Sequence, residues 1–235
     1  MNLNQKKLVE VKTAWRGCRR CPCYKTRREI VFYRGSVPCD VLFIGEAPGK
    51  DEDLMGEPFI GRAGQILDQW IADAKQESSQ PFSFGVTNIL ACLPLDDQGK
   101  IRPPTKEEAA ACDPRLYQTI RAADPKLIFL LGQTAKKYYK IGEELDNIGV
   151  VEVQHPAYVL RQGGIGTYAY DSNLLKIVNA LEALHETQRP KPKSQVRQSK
   201  KSGVRRLTTG RVEERARKPK VQRSVVKTIR RSELK

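Results

Sequence analysis

Four short apolar runs, at residues 41–44, 86–90, 127–131 and 150–153, constrain the fold of this chain more than any other feature. Each is too short for a core helix, and short runs flanked by Gly, Pro or Asn fit strands covered on both sides, so all four read that way. Helical periods lie between them. Within residues 64–74, Ile66, Leu67, Trp70, Ile71 and Ala74 share one helical face. Thr105 and Glu108 have the spacing of a capping box, opening a helix that carries Ala109, Cys112, Leu116 and Ile120. A last stripe within residues 171–186 aligns Leu174, Ile177, Val178, Leu181 and Leu184. Strands alternating with helices predict a three-layer α/β/α domain around a central four-stranded, mostly parallel sheet.

Sites in such folds collect at the carboxyl ends of the strands. Three segments lie there: GEAPG at residues 45–49, Asn88 toward the end of the second run, and His155-Pro156 after the fourth. The first resembles a phosphate cradle, but a phosphate loop needs four residues between its glycines and a Lys-Ser/Thr pair. Here three residues separate Gly45 from Gly49, Pro48 lacks an N–H, and Lys50 is followed by Asp51, Glu52 and Asp53. Those acids would repel a triphosphate. They fit either the first turn of a helix or chemistry that uses a carboxylate.

Charge divides the chain. Residues 189–235 hold 18 Lys and Arg against 3 Asp and Glu, a net of +15, which equals the net charge of all 235 residues. This tail has no aromatic residue and no sustained apolar period, so it is expected to be disordered. A flexible cationic arm is the electrostatic footprint of a polyanion-binding segment, with DNA as the expected partner. The folded domain is expected over residues 1–188. The N-terminal segment lacks the apolar core of a signal peptide, and no run reaches the ~18 apolar residues of a membrane span. The expectation is an intracellular protein, cytoplasmic and associated with the nucleoid, with no membrane partner. Its six cysteines then read as thiols or metal ligands rather than disulfides.

Taken together, C-x-x-C at Cys18 and Cys21, GEAPGKDED at 45–53, GEPFIGRAG at 56–64, TNILAC at 87–92 and HPAYVLR at 155–161 resemble the family-4 uracil-DNA glycosylases, the iron–sulfur branch of their superfamily. The resemblance runs from about Cys18 to about Leu184 and excludes the tail. It implies a uracil-DNA glycosylase-like fold and a monofunctional enzyme that hydrolyses the N-glycosidic bond of uracil in DNA, the first step of base excision repair. It also implies a monomer acting on single- or double-stranded DNA.

The resemblance assigns catalytic roles to His155, Glu46 and Glu52, and base binding to Gly45, Ala47, Gly49, Phe59 and Asn88. His155 would stabilise the departing uracil anion, Phe59 would stack on the flipped base, and the Asn88 amide would pair with its edge. Which glutamate matters more stays open. Arg161 would meet a DNA phosphate. The same resemblance places a 4Fe-4S cluster on Cys18, Cys21, Cys92 and Cys112. From residue type alone, Cys92 and Cys112 also suit a core, and spacing does not separate zinc from iron–sulfur.

Cys23 replaces an apolar residue of the motif and is a competing ligand, Cys39 reads as a plain thiol, and His185 reads as a surface residue. From Cys92 the chain runs CLPLDDQGKIRPP, with Leu93 where the family carries an arginine directly after the cysteine and with an acidic Asp96-Asp97 pair. That departure keeps a second reading open: a DNA-binding protein of the same fold with weakened catalysis, acting through its basic tail.

Overall fold

The structure, a computed structural model, describes residues 1–140, 145 and 147–188. The tail expected to be disordered and to bind DNA lies outside the described residues. All four apolar runs form strands: β2 (Val41–Gly45), β3 (Phe84–Asn88), β4 (Leu127–Leu131) and β5 (Gly149–Val153). They pair in parallel in the order β3-β2-β4-β5.

The sheet has five strands, not the four expected from the pattern. Its fifth, β1 (Arg34–Gly35), runs antiparallel along β3 at the edge, pairing Arg34 with Val86 and Gly35 with Gly85. Two residues cannot show a period, which is why the pattern missed it. β3 ends at Asn88 rather than Leu90, because Ile89 and Leu90 turn their N–H groups to the carbonyls of Gly45 and Glu46 at 2.9 and 3.0 Å. The end of β3 is thereby tied to the loop after β2.

Alternate residues of the central strands β2 and β4, buried throughout, feed two cores, as expected for strands covered on both faces. By contrast β5, at the sheet edge, was expected to be covered but leaves Gly149 and Glu152 exposed. Leu42, Ile44, Ile128 and Leu130 pack with α1 (Leu3–Trp15), α4 (Lys106–Ala123) and α5 (Gly132–Tyr138). Val41, Phe43, Phe129 and Leu131 pack on the other side with α3 (Arg62–Glu77), α6 (Pro156–Arg161) and α7 (Tyr168–Gln188). Phe43 and Phe129 stack across neighbouring strands with centroids 5.1 Å apart. The capping box of α4 forms: Thr105 Oγ1 accepts from Glu108 N at 3.2 Å, and Thr105 N donates to Glu108 Oε2 at 2.9 Å. His185, expected on the surface, is 9% exposed, because the apolar stripe of α7 carries it against the core. Among the described residues no helix is long and apolar enough to cross a membrane.

The chain passes from β2 to β3 on one side and returns across β2 to β4 on the other. This reversal of direction opens a crevice at the strand ends. The loop after β2 and the start of α6 both face it.

Candidate active site

A pocket of about 440 Å³ opens at these strand ends. Glu46, Ala47, Gly49, Glu52, Phe59, Asn88, His155 and Arg161 all line it, drawn from four separate stretches of sequence. Gly45 lies directly beneath, where an added Cβ would strike Asn88 Oδ1 and the Phe59 ring, so no larger residue fits. Pro48, Ala63, Ile101 and Ala157 complete the lining and were not anticipated. Ala63 and Ala157 sit inside the quoted motifs as small residues that leave room. Ile101 carried no signal: it reaches the pocket because Leu95 bridges to it across a turn whose Asp96 Oδ1 accepts from Gln98 N and Lys100 N.

Asn88 ends β3 with 1% exposure, and its Oδ1 has no hydrogen-bond partner among the described residues. An unpaired buried amide oxygen costs about 1–3 kcal/mol, a penalty that a ligand donor would remove.

His155 caps α6. Its Nδ1 accepts from Ala157 N at 3.1 Å, which leaves the proton of the neutral ring on Nε2. Burial, assisted by the positive charge of Arg161, lowers its pKa to about 4. The imidazole is therefore neutral at physiological pH and acts as an N–H donor, not as a cation. Its ring lies 5.9 Å from that of Phe59, centroid to centroid, at 33°.

Phe59 is 5% exposed and has φ 57°, a left-handed backbone rare outside glycine. Arg34 holds that conformation, donating from Nε to Pro58 O at 2.8 Å and from Nη2 to Phe59 O at 3.3 Å, with Asp68 at 2.6 Å behind it. Gly64 permits it, since a Cβ there would collide with the Phe59 carbonyl.

The two glutamates differ in their partners. Glu52 lies in the first turn of α2 (Lys50–Met55), and its two oxygens accept from Gly49 N at 2.9 Å and Gly61 N at 3.0 Å. It clamps two loops together. The Glu46 carboxylate has no hydrogen-bond or ion-pair partner among the described residues and faces the pocket. Lys50 is exposed, and Asp53 is buried on the N–H of Arg28 at 3.2 Å. The acids after Gly49 thus build a helix start rather than a phosphate site.

Cys18, Cys21, Cys92 and Cys112 line a second, small cavity of about 20 Å³. Among the described residues no three His, Cys, Asp or Glu side chains gather tightly enough to hold a single metal ion. Burial raises the pKa of Cys92 to about 11, with Arg27 opposing it from 3.6 Å. Arg115, 1% exposed, donates to Cys112 Sγ at 3.4 Å. Its other acceptors are neutral, and a buried guanidinium without a carboxylate calls for an anion. Thiolates at this cavity would provide it, so the residues fit a group that binds cysteine in its anionic form.

Cys23 does not line this cavity but lies beside it, in hydrogen-bond contact with Cys21. It donates to Glu108 Oε1 at 3.3 Å, and burial pushes its thiol well up. Glu108 in turn forms a two-toothed pair with Arg102, at 2.6 and 2.8 Å, which holds its carboxyl down at about 2. Cys39 is 4% exposed in the core.

Residues 32–196 match the family model described as the uracil DNA glycosylase superfamily. The chain is 31% identical over 179 residues to the type-4 uracil-DNA glycosylase of Archaeoglobus fulgidus, spanning 68% of this chain and 86% of that protein. It is 31% identical over 157 residues to that of Thermotoga maritima, spanning 61% and 78% respectively. Against that of Sulfurisphaera tokodaii it is 34% identical over 155 residues, spanning 65% and 66%. The chain belongs to the uracil-DNA glycosylase superfamily.

Proposed function

We propose that this protein is a monofunctional uracil-DNA glycosylase, which removes uracil from DNA by hydrolysis and leaves an abasic site for repair. The observation that carries this reading is the unpaired Asn88 Oδ1, buried in the same pocket as a neutral His155 and a partnerless Glu46. The relatives compared above are type-4 uracil-DNA glycosylases. The base enters the pocket flipped out of the helix, and Phe59 stacks on it. The Asn88 oxygen accepts the uracil ring N–H while its NH₂ donates to a carbonyl oxygen of the base.

As the bond to the sugar breaks, negative charge collects on uracil and positive charge on the sugar. His155 Nε2–H donates to the developing anion without itself losing a proton. Glu46 supplies negative charge toward the sugar or orients the attacking water. Water contributes a hydroxyl to the sugar C1′ and a proton to uracil. Glu52 keeps the loop in place, and Arg161 offers a cation to a phosphate at the rim.

Cys18, Cys21, Cys92 and Cys112 are proposed to hold a 4Fe-4S cluster. Four thiols around one cavity but not gathered on a point suit a polynuclear group, in which each iron takes one thiolate. Its contribution is structural, fastening the segment after α1 to the end of β3 and to α4. The basic tail is proposed to add non-specific contact with DNA, on a monomer working in the cytoplasm at the nucleoid. The intact Glu46, Asn88 and His155 arrangement supports the enzyme over a weakened DNA-binding protein. Oligonucleotides carrying one uracil or one thymine, incubated with the protein and then treated with alkali, test the reading. Strand cleavage at uracil alone is expected, and no cleavage at any salt concentration would refute it.

A further inference from the structure

Arg115 joins the two cavities. It sits on the buried face of α4 with 1% exposure, lines the cysteine cavity, and donates from Nη2 to Cys112 Sγ at 3.4 Å. The same Nη2 reaches Asn88 O at 2.8 Å and Ile89 O at 2.6 Å, while Nη1 donates to Thr87 Oγ1 at 3.1 Å. Thr87 Oγ1 in turn donates a hydrogen bond to Phe32 O at 2.7 Å. The last two residues of β3 and the first beyond it are thus gripped by one side chain, and the middle of the three carries the orphan amide oxygen of the pocket.

We infer that Arg115 is a positioning residue: it ties the anionic cysteines to the backbone of Asn88, so that the charge at the metal cavity sets the placement of the base-reading amide. The inference rests on the cluster and uracil readings above. Physically, the guanidinium is always charged and is withdrawn from water, so it stays where an anion holds it. With anionic thiolate at Cys112 it is fixed, and β3 ends rigidly. Without that anion the buried cation is uncompensated, and its lowest-energy response is to move, taking the carbonyls of Asn88 and Ile89 with it. Of its five N–H groups, the single one on Nε finds no partner among the described residues.

The test compares full-length, cluster-loaded wild type with Arg115→Gln and Arg115→Lys. Three readouts are taken: visible absorption, reduction potential, and affinity for oligonucleotides bearing either a non-hydrolysable uracil nucleotide or thymine. In R115Q the potential is expected to become more negative, because a cationic donor to a ligand sulfur is lost. Its uracil-over-thymine affinity ratio is expected to fall about ten- to a hundredfold, the usual cost of removing a group behind a ligand. R115K keeps the charge, and with it the potential, but a single ammonium cannot reach Cys112 and both carbonyls, so the ratio still falls. An unchanged potential or ratio in folded, loaded R115Q overturns the inference. If R115Q does not load, R115K decides, and a wild-type ratio there overturns it. A wild type without iron–sulfur absorption defeats the cluster reading instead, and one that does not prefer uracil defeats the proposed function.

Discussion

At the scale of single residues, the site works by keeping groups unsatisfied or neutral. His155 is the clearest case. Its folded pKa of about 4 lies below the ordinary 6.5, so the unfolded chain takes up the proton first as pH falls. Stability contributed by the neutral ring is complete above about 6.5 and is lost progressively toward 4, by on the order of 3 kcal/mol. H155A should therefore flatten the stability profile between those values when unfolding is followed across pH. Activity should show no limb near 6.5 and should decline only as pH approaches 4; a limb at 6.5 in kcat/KM would mean the ring titrates normally. The glutamates should separate as well. E46Q is expected to lower kcat by roughly 10²- to 10⁴-fold with little change in Tm. E52Q sets an NH₂ against one of the two backbone N–H groups and leaves the other on a neutral oxygen, and should destabilise by about 1–3 kcal/mol, seen as a lower Tm, with the smaller effect on kcat. Equal kinetic losses would contradict the division of roles.

Elements explain why these side chains meet. The strand ends deliver Gly45, Asn88 and His155 to one crevice, and that much was legible in the sequence, because short apolar runs alternating with helical periods mark parallel strands whose carboxyl ends gather at one edge of the sheet. What divides Glu46 from Glu52 was not legible. It depends on Gly61 N, nine positions along the chain, returning to the carboxylate through the turn around Phe59. Arg34 was hidden for a related reason: a two-residue edge strand has no pattern, yet its side chain holds the carbonyls on either side of the strained Phe59. R34A is expected to weaken binding of uracil-containing DNA by about tenfold while leaving the sheet intact, with circular dichroism unchanged. G45A, whose methyl would enter the space of Asn88 and Phe59, should abolish excision in a protein that still folds; full activity would show that the crevice has more room than its lining indicates.

For the whole molecule, two charge arrangements frame the fold. The described domain is covered on both faces of its sheet, and the excess of +15 lies beyond residue 188. Truncation after residue 188 should lessen the dependence of DNA affinity on salt, since the slope of log affinity against log salt scales with the phosphates neutralised. An equal slope for both forms would remove the tail from the interface. The buried arginine of α4 shows the limit of reading a helix by its stripe: Cys112 and Leu116 announced an apolar face, and nothing in that stripe signals that Arg115 between them is buried with it. The cysteine cavity on one side and the carbonyls of Asn88 and Ile89 on the other surround this guanidinium, which is 1% exposed.

The central claim is that this pocket cuts the bond between uracil and its sugar, with His155 holding the charge that the base carries away. The direct measurement is single-turnover release of free uracil from a uracil-containing oligonucleotide, with wild type and H155A side by side. Wild type should liberate one uracil per site, and H155A should do so about 10²- to 10³-fold more slowly, the usual cost of one anion-stabilising donor. Release by H155A at the wild-type rate, or none by wild type, would contradict the account.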